Sequence, residues 1–330
     1  MKITESRFWR VGPLLVGVAL IVSVLAVITM VGNLQEARHL LGALRWSTML
    51  WLVLVALVDH GLRYWRWDTL LRQVGSRDFE RKTAFLLFSA SSPLIFTPNR
   101  VGEVVKSVYA WNYFRIPVVA SLPVLAAERL VDITLMAILA GVGLLLIGEA
   151  PYLWLSGVIL AGVLLMLPMA VTPPERRLRV CLGLPCLSSK VRQWLNIAAE
   201  SRRLLLVPRM LAANIAFGAS AWVAEVFIYF LALLAVGAHA EPHLFIVALA
   251  AFPLASLGGS LSFLPGGVGV TEGGLVALGM AFASLNAEPA LVAALMARVA
   301  ILGVVVVVGL VSLLILHLGL VRKPIVKDSA

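Results

Sequence analysis

The sequence is poor in charge and lacks alternating strand patterns. Only 13% of its 330 residues are charged, whereas 61% are hydrophobic. A soluble domain is about 25% charged and about 45–50% apolar, so this composition excludes an ordinary soluble fold. The absence of apolar–polar alternation argues against a β-barrel. We therefore expect an all-α polytopic integral membrane protein.

Cysteine and metal-ligand patterns are also scarce. The chain has two cysteines, Cys181 and Cys186, and both lie in a basic loop. We expect them to be free thiols on the reducing side of the membrane, because two cysteines alone are weak evidence for a disulfide or a metal pair. The five histidines show no metal-ligand spacing. The sequence therefore predicts neither a metal nor a cofactor.

Long apolar runs follow one another along the chain. Residues 11–35 and 299–316 carry no charge at all, and about 20 apolar residues suffice to cross a bilayer. We predict about six full transmembrane helices, at roughly 11–34, 44–64, 117–148, 150–172, 209–237 and 289–317. The first run has no small-residue cleavage site, so it indicates a retained helix rather than a signal peptide.

The basic residues lie in four blocks. These are the N-terminus, 63–82, 172–209 and the C-terminal tail, whereas the connections near 149–152, 239–243 and 286–289 carry none. This asymmetry is the positive-inside pattern. It predicts a multi-pass protein of the cytoplasmic membrane with both termini cytoplasmic. It also explains the net charge of +10 by contact with anionic lipid rather than with nucleic acid.

Two apolar stretches do not fit as clean spans. Residues 83–98 are short and contain two prolines, and residues 244–265 are interrupted by Pro253, Gly258, Gly259 and Pro265. Each is followed by a turn and a second helix-like piece, at 101–114 and at 270–285. We interpret both as re-entrant helical hairpins, which the membrane tolerates where protein or water covers the irregular backbone.

The two hairpins are related in sequence. Residues 94–102 and 261–269, offset by 167, share five of nine residues, including Pro98 with Pro265 and Gly102 with Gly269. Each half then contains two spans, one hairpin and one span. We predict a single transmembrane domain over 1–330 built as an inverted-topology repeat. Its first repeat is 1–149, and its second is 150–330, including a basic cytoplasmic loop at 172–208.

Ionisable residues inside membrane segments are costly and are usually functional. The predicted lipid-headgroup or ion-pair site contains Arg100, Glu103, Lys106, Glu128, Arg129, Asp132, Glu272 and Arg298, with Asp59 and Glu225 as secondary candidates. Glu128 and Asp132 share one helix face, and Arg129 can reach Asp132. Two interpretations stay open: the arginines hold an anionic headgroup, or they neutralise the carboxylates and brace the repeats.

Glycine-rich turns mark both hairpin tips. They comprise Pro98, Gly102, Pro265, Gly266, Gly267 and Gly269. The helix that starts after each turn has free N–H groups that can hold an anion. The alternative is a plain structural break.

The motifs resemble those of the flippase-like family, also called the lysylphosphatidylglycerol synthase transmembrane region. Residues 97–103 resemble its Thr-Pro-Gly-Arg-x-Gly-Glu motif, residues 128–132 its Glu-Arg-x-x-Asp motif, and residues 265–273 its Pro-Gly-Gly-x-Gly-x-Arg-Glu motif. Arg298 matches an arginine of its final span. Asn99 replaces a family glycine, and Thr271 replaces a family arginine.

The resemblance implies translocation, or handling, of an amphipathic lipid by a bundle with two re-entrant hairpins. We expect a phosphate-bearing lipid with an anionic or zwitterionic headgroup and no catalytic residue. The alternatives are a membrane enzyme acting on a lipid phosphate and an accessory scaffold of a cell-envelope lipid synthase. The expected partners are membrane lipids, with a second copy of the chain or a cell-envelope synthase as further possibilities.

Overall fold

A computed structural model describes residues 46–75, 79–96, 103–171, 203 and 206–318. The predicted first span at 11–34 lies wholly outside these residues, and the basic loop at 172–208 lies largely outside them. Pro98, Arg100 and Gly102 also lie outside. Within them the chain is all-helical. Nine α-helices follow in order: α1 Trp46–Val74, α2 Arg81–Ser91, α3 Val105–Phe114, α4 Val118–Ile147, α5 Ala150–Val171, α6 Pro208–Ala235, α7 Pro242–Leu261, α8 Val270–Ala283 and α9 Ala287–His317.

Long apolar helices make this a polytopic membrane protein. In the described part of the chain, α4, α6, α7, α9 and the segment Pro265–Ala283 are long and apolar enough to cross a membrane. The spans predicted at 117–148, 209–237 and 289–317 coincide with α4, α6 and α9. The predicted span at 44–64 falls in α1, which is not among these segments. The predicted span at 150–172 falls in α5, a 22-residue helix that is apolar over Ala150–Leu164. In α1, the buried face carries charged residues such as Asp59 and Arg66.

The first hairpin consists of short limbs. The 11-residue α2 leads into a 3₁₀ turn, Ser92–Phe96, and the 10-residue α3 returns. At 1.5 Å per residue each limb is about 15 Å long, roughly half the hydrocarbon thickness. This length fits a segment that turns back inside the membrane.

The second hairpin differs from the sequence prediction. We expected residues 244–265 to be broken at Pro253, Gly258 and Gly259, and this is wrong: α7 runs through all three for 20 residues. The break comes only at the 3₁₀ turn Pro265–Gly267, before α8. Proline and glycine persist inside membrane helices because neighbouring helices satisfy the freed backbone groups. The α7 limb is therefore about 30 Å long.

Two close helix contacts hold the hairpins in place. A Cβ added at Gly143 of α4 would lie 2.5 Å from the backbone N of Ala250 in α7. A Cβ added at Gly309 of α9 would lie 2.3 Å from Cγ of Pro93 in the first hairpin. Small residues let membrane helices approach closely where there is no hydrophobic drive for association. Each hairpin is therefore packed against the long last helix of the other half.

Candidate functional site

An ion pair joins the first hairpin to α4. Glu103, just before α3, accepts a short charge-assisted hydrogen bond from Arg129 of α4. Lys106 of α3 is a second cation for Glu103, with Nζ 3.8 Å from Oε2. The same Nζ lies 4.6 Å from the centre of the Phe88 ring. Arg129 is half-buried, with 34% of its side chain exposed, whereas Glu103 is buried.

A corresponding ion pair joins the second hairpin to α9. Arg298 Nε donates to Glu272 Oε1 at 2.7 Å, and Arg298 Nη2 donates to the Gly266 carbonyl at 2.7 Å. Glu272 Oε2 accepts from the Gly269 N–H at 2.7 Å and so caps the start of α8. Only 12% of the Arg298 side chain is exposed. This pair therefore fastens both the turn and the helix that follows it.

The turn of the second hairpin has backbone φ angles that favour glycine. Gly266, Gly267 and Gly269 have φ of 63°, 67° and 85°, a region that side chains rarely adopt. A Cβ at Gly267 would lie 2.8 Å from Thr271 Oγ1. Thr271, which replaces the family arginine, is buried beneath this turn. A long charged side chain has no room at this position.

The tips of the two hairpins meet. The 3₁₀ turn Ser92–Phe96 contacts the turn Pro265–Gly267. Glu103 and Glu272 lie near the starts of α3 and α8, and Arg298 contacts the second turn directly through the Gly266 carbonyl. The turn glycines predicted from the sequence in the second hairpin thus lie at the point where the two hairpins touch.

Sequence reasoning missed Arg66 as a member of the buried site. Arg66 Nη1 donates to Asp132 Oδ1 at 2.6 Å, and Nε donates to Asn214 Oδ1 at 2.6 Å. The sequence shows this arginine only as part of the basic block at 63–82, whereas the structure buries it: Arg66 is 2% exposed. The signal was present: arginines at 63 and 66 are three residues apart on a helix, so they share a face.

Asp132 is held by several donors, whereas Glu128 is not. Trp222 Nε1 donates to Asp132 Oδ1 at 3.2 Å, and Arg129 Nη1 lies 3.7 Å from Asp132 Oδ2. The prediction that Arg129 can reach Asp132 is confirmed by this distance. Among the described contacts, Arg129 makes no hydrogen bond or ion pair with the Glu128 carboxylate. Arg66 Nη2 donates to the Glu128 backbone carbonyl at 2.8 Å.

The secondary candidates share one arginine. Arg63 Nε donates to Asp59 Oδ1 at 2.9 Å, and Arg63 Nη2 donates to Glu225 Oε1 at 2.7 Å. The guanidinium also lies 5.4 Å from the centre of the Trp222 ring. This triad ties α1 to α6 and adjoins the Asp132 cluster through Trp222.

Comparison with known proteins agrees with this geometry. The family model of the lysylphosphatidylglycerol synthase TM region matches residues 14–309. That range includes both hairpins and all the ion pairs described above. No curated protein matches the chain. Since the matched segment covers most of its 330 residues, the chain belongs to the lysylphosphatidylglycerol synthase TM region family.

Proposed function

We propose that the protein binds an amphipathic, phosphate-bearing lipid and moves it between the leaflets of the cytoplasmic membrane. The observation that carries this proposal is the pair of Glu–Arg contacts, Glu103 with Arg129 and Glu272 with Arg298, one on each of two hairpins whose turns touch. An arginine is well suited to phosphate because its planar fork donates two parallel hydrogen bonds. The site thus offers one such fork in each half.

An internal repeat supports a two-sided binding site. Glu103 and Glu272 are 169 residues apart, as are Arg129 and Arg298, and each pair spans 26 residues. This offset of 169 is two residues longer than the offset of 167 between Gly102 and Gly269 at the hairpin tips. The difference arises because Gly102 directly precedes Glu103, whereas two residues lie between Gly269 and Glu272. The same ion pair therefore occurs once per half.

The helix contacts follow the same correspondence. In this correspondence α1, α2, α3 and α4 match α6, α7, α8 and α9, and contacts between these helices occur in matching pairs. The contact of α4 with α7 matches that of α9 with α2, and the contact of α1 with α4 matches that of α6 with α9. The contact of α1 with α9 matches that of α6 with α4. The helices α1 and α6 pack on each other at the centre. A two-fold axis through this seam and the touching hairpin tips accounts for these pairs of contacts. We propose that this axis lies in the membrane plane, with the basic blocks at the cytoplasmic face.

The half-buried state of Arg129 supports binding by exchange of partners. Its guanidinium is paired with Glu103, which has Lys106 as a second cation. A phosphate can therefore take Arg129 without leaving Glu103 as an uncompensated buried charge, which would be costly. The paired state holds the site neutral while no lipid is bound.

Binding and transport are tested on purified protein. The variants Arg129→Gln and Arg298→Gln, alone and together, are compared with Arg209→Gln, which changes an exposed arginine at the start of α6. Native mass spectrometry measures binding of phosphatidylglycerol to each folded variant. We expect weaker binding in the site variants and unchanged binding in the control. Unchanged binding in a well-folded double variant contradicts the headgroup role and leaves the bracing role.

Reconstituted vesicles separate transport from enzymatic action. Fluorescent phosphatidylglycerol is placed in one leaflet, and its exposure to an added quencher reports exchange between leaflets. Inorganic phosphate release is measured in the same vesicles. Exchange without phosphate release supports translocation, whereas release without exchange supports the alternative of an enzyme acting on a lipid phosphate.

A further inference from the structure

A continuous network of buried charges links α1, α3, α4 and α6. Among the described residues it contains five carboxylates and four cations: Asp59, Glu103, Glu128, Asp132 and Glu225 against Arg63, Arg66, Lys106 and Arg129. Trp222 joins the two ends, since it donates to Asp132 and its ring faces Arg63. These groups carry one negative charge in excess when all of them are ionised.

Among the described carboxylates of this network, Glu128 is the one without an ion pair. Its residue is 6% exposed, and its carboxylate makes no hydrogen bond or ion pair with any residue that the structure describes. Three cations lie near it, but each has a closer partner. Arg66 binds Asp132 at 2.6 Å, and both Arg129 and Lys106 pair with Glu103.

Each of the other four carboxylates is paired with a cation, although Asp59 and Glu225 share one arginine. Asp132 accepts from Arg66 and Trp222, Glu103 has two cations, and Asp59 and Glu225 share Arg63 at 2.9 and 2.7 Å. Glu128 is therefore the carboxylate for which ionisation is least compensated. Ionising a carboxylate that is largely removed from water and has no partner is costly, and the neutral acid avoids that cost.

We infer that Glu128 is a proton-binding site, occupied in the state described here, and that its proton is released and rebound as lipid moves. The second part rests on the proposed function. Loss of the proton to water leaves a carboxylate that needs a cation. Arg129 and Lys106 are both near and both share Glu103, so one of them can turn to Glu128 while the other stays with Glu103.

The charged groups that face Glu128 from the described part of the chain are consistent with this exchange. The elements packed on α4 are α1, α3, α5, α6 and α7. α1 contributes Arg66 and α3 contributes Lys106, while α4 itself contributes Arg129 and Asp132. α6 brings the neutral Asn214, whose amide donates to the Ala127 carbonyl. The described side chains of α5 carry no charge, and α7 has only His243 in its first turn.

The second half shows that Glu128 is not needed for bracing. At the same 169-residue offset, Ala297 takes the place of Glu128 and Ile301 that of Asp132. Arg298 nevertheless forms its pair with Glu272. The shared ion pair therefore forms without a carboxylate at this position, and Glu128 is an addition found in one half alone.

Infrared spectroscopy of the purified chain tests the proton directly. A protonated carboxyl in an apolar site gives a carbonyl band that shifts in D₂O. We expect this band at neutral pH in the wild type and in Glu149→Gln, which changes an exposed glutamate between α4 and α5, and its loss in Glu128→Gln. A band that persists in Glu128→Gln, or that is lost instead in Asp59→Asn, overturns the assignment. This result does not depend on whether the protein moves lipid.

A second measurement uses the wild type alone, in case a variant fails to fold. Dicyclohexylcarbodiimide adds to protonated carboxyls in apolar surroundings and forms a stable N-acylurea without a leaving group. Peptide mass spectrometry is expected to place the adduct on Glu128 and not on Asp132, four residues away. An adduct on Asp59 or Glu225 with none on Glu128 refutes the proposal. With the proton assigned, exchange of fluorescent phosphatidylglycerol should depend on pH in the wild type and not in Glu128→Gln.

Discussion

Replacing Arg298 with glutamine should destabilise the protein more than the same change at Arg129. Among the described residues Glu272 has Arg298 as its single cation, and only 4% of the Glu272 side chain is exposed. Removing one partner of a buried pair leaves an uncompensated charge and costs about 3–5 kcal/mol. Arg298→Gln also removes the hydrogen bond to the Gly266 carbonyl, which holds the glycine turn.

The ion pair of the first half, Glu103 with Arg129, is more exposed than that of the second half, and Glu103 has a second cation. About a third of the Arg129 side chain is exposed, so solvent screens its charge. Glu103 keeps Lys106 at 3.8 Å after Arg129 is lost. We therefore expect Arg129→Gln to cost about 1–3 kcal/mol, between the ranges for surface and buried pairs.

Unfolding in detergent by a chemical denaturant, followed by tryptophan fluorescence, measures both variants. The double change Glu272→Gln with Arg298→Gln closes a mutant cycle and should recover part of the loss, because no buried charge is then left unpaired. Equal losses in Arg129→Gln and Arg298→Gln would refute this reasoning. So would additive losses in the cycle, since they would mean that the two side chains do not interact.

The remaining predictions concern packing and one hydrogen bond. Gly309→Ala should lower the free energy of unfolding by about 1–3 kcal/mol, because the added methyl group clashes with the first hairpin. The control Gly303→Ala has open space around it and should be neutral or raise the free energy of unfolding by up to about 1 kcal/mol. The same unfolding assay compares the two variants, and equal effects would contradict the close contact at Gly309. Gly143→Ala should also destabilise the protein by about 1–3 kcal/mol because its Cβ would meet the α7 backbone; a stabilised variant would show that α4 and α7 are not in contact there. Trp222→Phe should cost about 1.5–3 kcal/mol, since it removes a hydrogen bond to the charged Asp132, and a variant as stable as wild type would argue against that bond.

The helical architecture was predictable because composition and length decide it. Runs of about 20 apolar residues form helices in a membrane, where every backbone group must be satisfied within the segment. The ends of α4 and α9 lie within about two residues of the predicted bounds. The helical course of α7 through Pro253 was not predictable in this way. Its continuity depends on packing against α4, which the local sequence does not encode.

The site was predictable in its members and not in its pairings. The sequence indicated Glu103, Arg129, Glu272 and Arg298 because charges inside apolar segments stand out. It did not indicate that Arg66 binds Asp132, since residues 66 apart in sequence meet only through the packing of α1 on α4. Proximity along one helix favoured Arg129 as the partner of Glu128, whereas the hairpin brings Glu103 to it instead.

The two halves share one ion pair but differ in how it is surrounded. In the second half the pair also caps α8 and holds the glycine turn, so Arg298 cannot leave Glu272 without disturbing the hairpin. In the first half Arg129 is partly exposed, Glu103 has a second cation, and the Glu128 carboxylate has no hydrogen bond or ion pair to any described residue. Breaking the first pair therefore requires only a rearrangement of side chains. If the proposed lipid site exists, its exchange of partners should cost least in the first hairpin, because Arg129 and Lys106 both pair with Glu103 there.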